Sequence, residues 1–143
     1  MADRRAGAPT PAGRRAPASR RTELTGWGRI APSAAQLGEP ADPGQVAELL
    51  AGAAGRGVIA RGLGRSYNNA AQCGGGLVIA TTAMRAITSF DTSTGLVTCD
   101  AGVSLEQLMV AGLAAGWFVP VSPGTRQVTV GGEIGRASCR ERV

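Results

Sequence analysis

The segment Ala60-Arg61-Gly62-Leu63-Gly64-Arg65-Ser66-Tyr67 combines residue types and spacing suited to holding a phosphate. Gly62 and Gly64 carry no Cβ, so the backbone there can approach an anion closely and adopt positive φ. That freedom lets successive N–H groups converge into a concave nest of donors. Arg61, Arg65, Ser66 and Tyr67 add charge and hydroxyl contacts. A second backbone patch is expected at Thr129-Val130-Gly131-Gly132, at the start of a helix. The spacing excludes two better-known phosphate loops. A dinucleotide-binding fingerprint needs a third glycine where Tyr67 stands, and a Walker A loop needs a lysine that the chain lacks. A plain structural turn between two strands is the other reading of so short a glycine pattern, and local sequence leaves both open.

The neighbouring segments supply the elements that would position this loop. Val58-Ile59-Ala60 reads as a buried strand running into it, and Leu77-Val78-Ile79-Ala80 as a second strand after Gly74-Gly75-Gly76. Asp42-Pro43 reads as an N-cap with proline at the first helical position, Val46, Leu49 and Leu50 forming one face. Gly55 and Gly57 end that helix. Ile87 to Phe90 and Leu96 to Thr98 flank the turn residues Asp91-Thr92-Ser93-Thr94-Gly95, predicting a hairpin. Ser104-Leu105-Glu106-Gln107 is a capping-box pattern opening a helix to about Ala115, with Leu105, Leu108 and Leu113 on its buried side and Gly116 as its stop. Trp117 to Val121 is a further strand candidate, and Pro123-Gly124 turns the chain toward Thr129. Asp91, Asp100 and Glu106 read as turn, strand-end and cap residues. The element order predicts an α+β (mixed α/β) layer, not a regular βαβ repeat.

The 143 residues suit one domain, and a core of Val, Ile, Leu and Ala with aromatics at only 3% implies modest stability. The net charge of +5 suggests a nucleic-acid partner until it is located. Residues 1–22 hold six Arg against one acid, residues 133–143 are net +1, and residues 23–132 are net −1. The basic charge therefore sits at the ends, and no aromatic stacking platform accompanies it, so no nucleic-acid partner is expected. Residues 1–22, rich in Ala, Pro, Gly and Arg, are expected to be disordered, with the globular part spanning 23–132. With no His and with Cys73, Cys99 and Cys139 far apart, neither a metal site nor a disulfide framework is expected. No apolar run is long enough to span a membrane. The N-terminal Arg pairs lack a following hydrophobic stretch, so no signal peptide is expected and no compartment is assigned.

Taken together, Ala60 to Tyr67 with Gly74-Gly-Gly-Leu-Val-Ile79 resembles the flavin loop of the vanillyl-alcohol-oxidase-like oxidoreductases, which carry a PCMH-type FAD-binding domain. Three further stretches carry the likeness: Thr25-Gly-Trp-Gly-Arg-Ile-Ala-Pro-Ser33, Asp100-Ala-Gly-Val-Ser-Leu-Glu-Gln-Leu108, and Val119 through Gly132. Within the family the resemblance is strongest to the actinobacterial branch that oxidises the 2-hydroxyl of decaprenylphosphoryl ribose in arabinan precursor synthesis for the cell wall. It implies FAD contacts at Ala60, Arg61, Gly62, Leu63, Gly64, Arg65, Ser66, Tyr67, Asn68 and Asn69, which would hold the pyrophosphate. Gly124, Thr129, Val130, Gly131 and Gly132 would lie along the flavin. Arg65 stands where related sugar and alditol oxidases carry a His bonded to the flavin, which implies non-covalent FAD. Asn68-Asn69 departs from the Gly-Asp of the pattern. The resemblance also implies a lipid-linked sugar substrate and a partner reductase. An alditol or aldonolactone oxidase is the alternative within the family, and an Arg-tailed binding module without cofactor is the alternative outside it.

After Gly132 the likeness lapses. The family continues through Ala and small residues to a His-Gly-Lys segment, whereas this chain reads Glu133-Ile-Gly-Arg-Ala-Ser-Cys-Arg-Glu-Arg-Val143. That peptide matches the translation of a common short-read sequencing adapter, so residues 133–143 are read as non-native. The expectation is thus a truncated N-terminal subdomain of a PCMH-type FAD-binding domain, with no residue assigned as catalytic base.

Overall fold

A computed structural model describes residues 17–134. Its centre is a four-stranded sheet in the order β1-β2-β4-β3, with a separate β5-β6 hairpin beside it. Strands β1 (Arg20–Leu24) and β2 (Ser33–Gly38) pair antiparallel, while β4 (Leu77–Ala80) runs parallel to both β2 and β3 (Val58–Arg61). Mixed pairing of this kind, with helix α1 packed on one face, is the α+β layer expected from the element order.

All four residues of β4 are buried, which suits its unbroken Leu-Val-Ile-Ala run. Successive side chains point to opposite faces. Val78 and Ala80 meet Ala35 and Leu37 of β2 on one face. Leu77 and Ile79 meet Leu49 of helix α1 (Pro43–Ala51) on the other, with Val46 alongside. The Asp42 side chain accepts from the Gln45 N–H at 3.0 Å, so the cap and the N1 proline act as their types dictate. Leu50, expected on the buried face, is half exposed, because it lies a further 100° round the helix from Leu49.

Strand β1 begins earlier than composition implied. Residues 20–22, read as part of a disordered tail, form the start of edge strand β1, because edge pairing is made by backbone groups and needs no apolar side chains. Residues 1–16, the bulk of that tail, lie outside the described residues.

The hairpin of β5 (Ile87–Asp91) and β6 (Leu96–Cys99) forms as read, and Asp91 organises its turn by accepting from Ser93 Oγ at 2.6 Å and Thr94 Oγ1 at 2.7 Å. Helix α2 (Leu105–Leu113) opens with the full capping box between Ser104 and Gln107. It ends before Ala115, and Leu113, expected on the buried side, is 61% exposed. Trp117 to Val121 does not form a strand. Pro120 has no N–H to offer a ladder, the Trp117 N–H returns to Gly112 O at 2.9 Å, and its indole donates to Thr92 O at 2.8 Å. The last element is the short α3 (Val130–Glu133), capped by Thr129; residues 135–143 of the segment read as non-native lie outside the described residues.

Candidate functional site

Strand β3 delivers the glycine loop to the wall of a cavity of about 830 Å³. Its lining comes from Trp27, from residues between Ala60 and Tyr67, from Ala71, and from residues between Pro123 and Glu133. The N–H groups of Leu63, Gly64, Arg65, Ser66 and Tyr67 have no hydrogen-bond acceptor among the described residues. Unpaired backbone donors in sequence are costly unless water or a ligand takes them. Gly64 has φ +66°, the left-handed geometry in which a run of N–H groups turns inward to form a nest.

Gly62 is required by proximity. A Cβ there would fall on Thr129 Oγ1 and lie 3.3 Å from Thr129 Cβ, so absence of a side chain lets the loop meet the cap of α3. Thr129 is 2% exposed and its hydroxyl accepts from the Gly132 N–H at 3.2 Å.

The structure gathers most of the expected cofactor residues. Ala60, Gly62, Leu63, Gly64, Arg65, Ser66 and Tyr67 line the cavity with Gly124, Thr129 and Gly132. Arg61 is turned elsewhere: its guanidinium donates to Ala71 O at 2.8 Å and Thr25 O at 2.7 Å, beneath Gly64, and lines a smaller cleft of about 450 Å³. Partial burial lowers its pKa. Asn68 and Asn69 are exposed turn residues outside the cavity wall, with Asn68 Oδ1 accepting from the Ala70 N–H. Val130 and Gly131 also stand off the wall, and their N–H groups donate to Val103 O at 2.8 Å and Ala101 O at 2.9 Å.

Several lining residues were not legible as site residues. Trp27 lines the cavity with its backbone N–H on Ser66 O at 2.7 Å, and the Arg65 guanidinium carbon lies over its ring, 4.3 Å from the centroid. The signal was present, since a tryptophan between Gly26 and Gly28 marks a close backbone approach. A Cβ on Gly28 would stand 2.8 Å from Tyr67 O. Gln127 lines the opposite wall and its carbonyl accepts from Arg65 Nε at 3.1 Å. Glu106, read as a cap residue, instead holds this wall: its carboxylate accepts from Arg126 Nε at 2.8 Å and from Gln127 Nε2. Glu133, 7% exposed, also lines the cavity. No group of three or more His, Cys, Asp or Glu able to hold a metal occurs among the described residues.

A sequence profile described as "FAD binding domain" matches residues 34–143. The chain is 58% identical over 115 residues to the decaprenylphosphoryl-beta-D-ribose oxidase of Mycolicibacterium smegmatis, covering 78% of this chain and 25% of that protein. It is 36% identical over 104 residues to an uncharacterized FAD-linked oxidoreductase of Mycobacterium tuberculosis, covering 71% of this chain and 23% of that one. Among solved structures, cholesterol oxidase from Brevibacterium sterolicum aligns over 89% of this chain and 26% of its own, with TM-score 0.66 and 18% identity, a likeness of fold. The chain spans about a quarter of the length of the curated relatives it matches.

Proposed function

The chain belongs to the FAD binding domain family, and from that premise we propose that its cavity holds the pyrophosphate end of a non-covalently bound FAD. The observation that carries this reading is the run of unpartnered N–H groups from Leu63 to Tyr67 on the cavity wall. Such a nest suits a diphosphate, which presents several acceptor oxygens and needs no side-chain cation to be recognised. The cavity volume lies within the roughly 300–1,000 Å³ of small-molecule sites. Arg65 at the position of the covalent His in related oxidases supports a dissociable cofactor.

Bound FAD supplies a hydride acceptor. The chain's own part is to bind and orient it: Gly62 and Gly64 permit the close approach, Thr129 fixes the facing wall, and Trp27 lines the cavity. No residue here is assigned to remove a substrate proton. By likeness to the mycobacterial oxidase, the proposed activity of the whole protein is oxidation of the 2-hydroxyl of decaprenylphosphoryl ribose, with a partner reductase completing the epimerisation.

Amide exchange on the 143-residue chain tests the cavity assignment. Millimolar FAD and ADP are expected to slow exchange at Leu63 to Tyr67, while riboflavin, which lacks the diphosphate, leaves them unchanged. Equal protection by riboflavin, or none by FAD, would refute the pyrophosphate assignment. For the whole protein, a yellow flavin released by acid is the expected result, and flavin retained on the precipitated polypeptide would overturn non-covalent binding.

A further inference from the structure

We propose that Arg65 is a positioning residue that latches the two flanks of the cofactor cavity together, acting through Trp27 and Gln127. This rests on the cavity being the FAD site. The guanidinium of Arg65 touches both segments: its carbon lies over the Trp27 ring, 4.3 Å from the centroid, and its Nε donates to the Gln127 carbonyl at 3.1 Å. These partners belong to segments far apart in the chain, and residue 127 lies 62 positions from the arginine.

Each flank has its own anchors, and the Arg65 side chain touches both. On one side, the Trp27 N–H bonds Ser66 O and Arg61 holds Thr25 O. Gly26 lies so close to the Asn68 and Ser66 carbonyls that a Cβ would overlap both. On the other, Glu106 grips Arg126 and Gln127, and the Leu105 N–H bonds Val128 O at 3.0 Å. The first flank lies outside residues 34–143, the span matched by the family profile, so the latch makes it a working wall of the cavity. A planar guanidinium can lie over a ring while donating along its edge; an ammonium has the charge but not the fork.

The test uses the 143-residue chain and its Arg65→Lys, Arg65→Met and Trp27→Leu variants. Two readouts are needed: residue-resolved amide exchange without cofactor, and FAD affinity by titration. The expected result is about tenfold faster exchange at Trp27 and Leu105 in both Arg65 variants, with Val78 of the central strand unchanged. FAD affinity should fall about tenfold in both, with no rescue by lysine, and Trp27→Leu combined with Arg65→Met should add little to either alone. Wild-type affinity in Arg65→Lys would overturn the proposal, because charge alone would then suffice. Unchanged exchange at both flanks would also overturn it. If the exchange pattern holds while the wild-type chain ignores FAD at millimolar concentration, the latch stands and the assignment of the cavity to FAD fails.

Discussion

Gly62 and Thr129 make the strongest quantitative case, because their contact joins the glycine loop to the cap of α3. In Gly62→Ala the new methyl group falls on Thr129 Oγ1 and within 3.3 Å of its Cβ and Cγ2. Thr129 is fully enclosed, so the hydroxyl can move only by releasing the Gly132 N–H that it caps. Loss of an N-cap costs about 1 kcal/mol, and overpacking of an enclosed site costs about 1–3 kcal/mol. Gly62→Ala should therefore destabilise the fold by about 2–4 kcal/mol. Thr129→Ala alone removes the cap and leaves a small void, at about 1–2 kcal/mol. In the double variant the methyl group has no hydroxyl to strike, so its cost should fall well below the sum, by about 1–2 kcal/mol. Urea unfolding of the four proteins reads the cycle, with a constant m-value as the control for two-state behaviour. Additivity within about 0.5 kcal/mol would show that the two groups do not compete for one space, and the steric argument would fail.

Four other outcomes are expected. Hydrogen bonds from the Ser93 and Thr94 hydroxyls and the Ser93 N–H hold the Asp91 carboxyl down to about 2. Because the folded pKa is depressed, its contribution to stability is complete above the ordinary carboxylate value and is lost as pH falls toward 2; an NMR titration midpoint near 3.8 would contradict this. Ser104→Ala removes the capping box of α2 and should cost about 1 kcal/mol in thermal or urea unfolding, with Ser104→Asp close to wild type. The 143-residue chain should bind FAD only weakly, at millimolar concentration, and show no turnover; substrate-dependent flavin reduction by this chain alone would refute that. Residues 133–143 are proposed to be non-native, and resequencing the locus would return a different codon series if so.

What the sequence made legible was local. The Asp42-Pro43 start of α1, the Ser104 and Gln107 box of α2, and the Asp91 to Gly95 turn each depend on contacts within a few residues, and each forms as its chemistry dictates. The buried strand β4 was readable because four apolar residues between polar turns admit few other structures. Strands β1 and β2 were missed because Arg-Arg-Thr-Glu-Leu and Ser-Ala-Ala-Gln-Leu-Gly carry little apolar alternation, and their pairing is made by the backbone. The site was half legible for the same reason. The glycines announced a close approach without saying to what, and their partners lie far along the chain at Asn68 and Thr129. Arg61 and Arg65 read alike as anion ligands, yet one braces the loop from beneath and the other bridges two walls.

The place of β4 between β2 and β3 has a consequence for how the chain is made. Both neighbours precede it in sequence, and neither pairs with the other. A nascent chain that has exposed β1 through β3 but not β4 therefore holds β2 with one edge open, β3 unpaired, and an apolar helix face without its cover. Nothing can close that gap until residues 77–80 leave the ribosome, and only then does β3 become rigid enough to present the glycine loop. Synthesis of the intervening turn thus sets a window of exposure to chaperones and to aggregation, and pausing translation within it should lower the soluble yield without altering the finished fold.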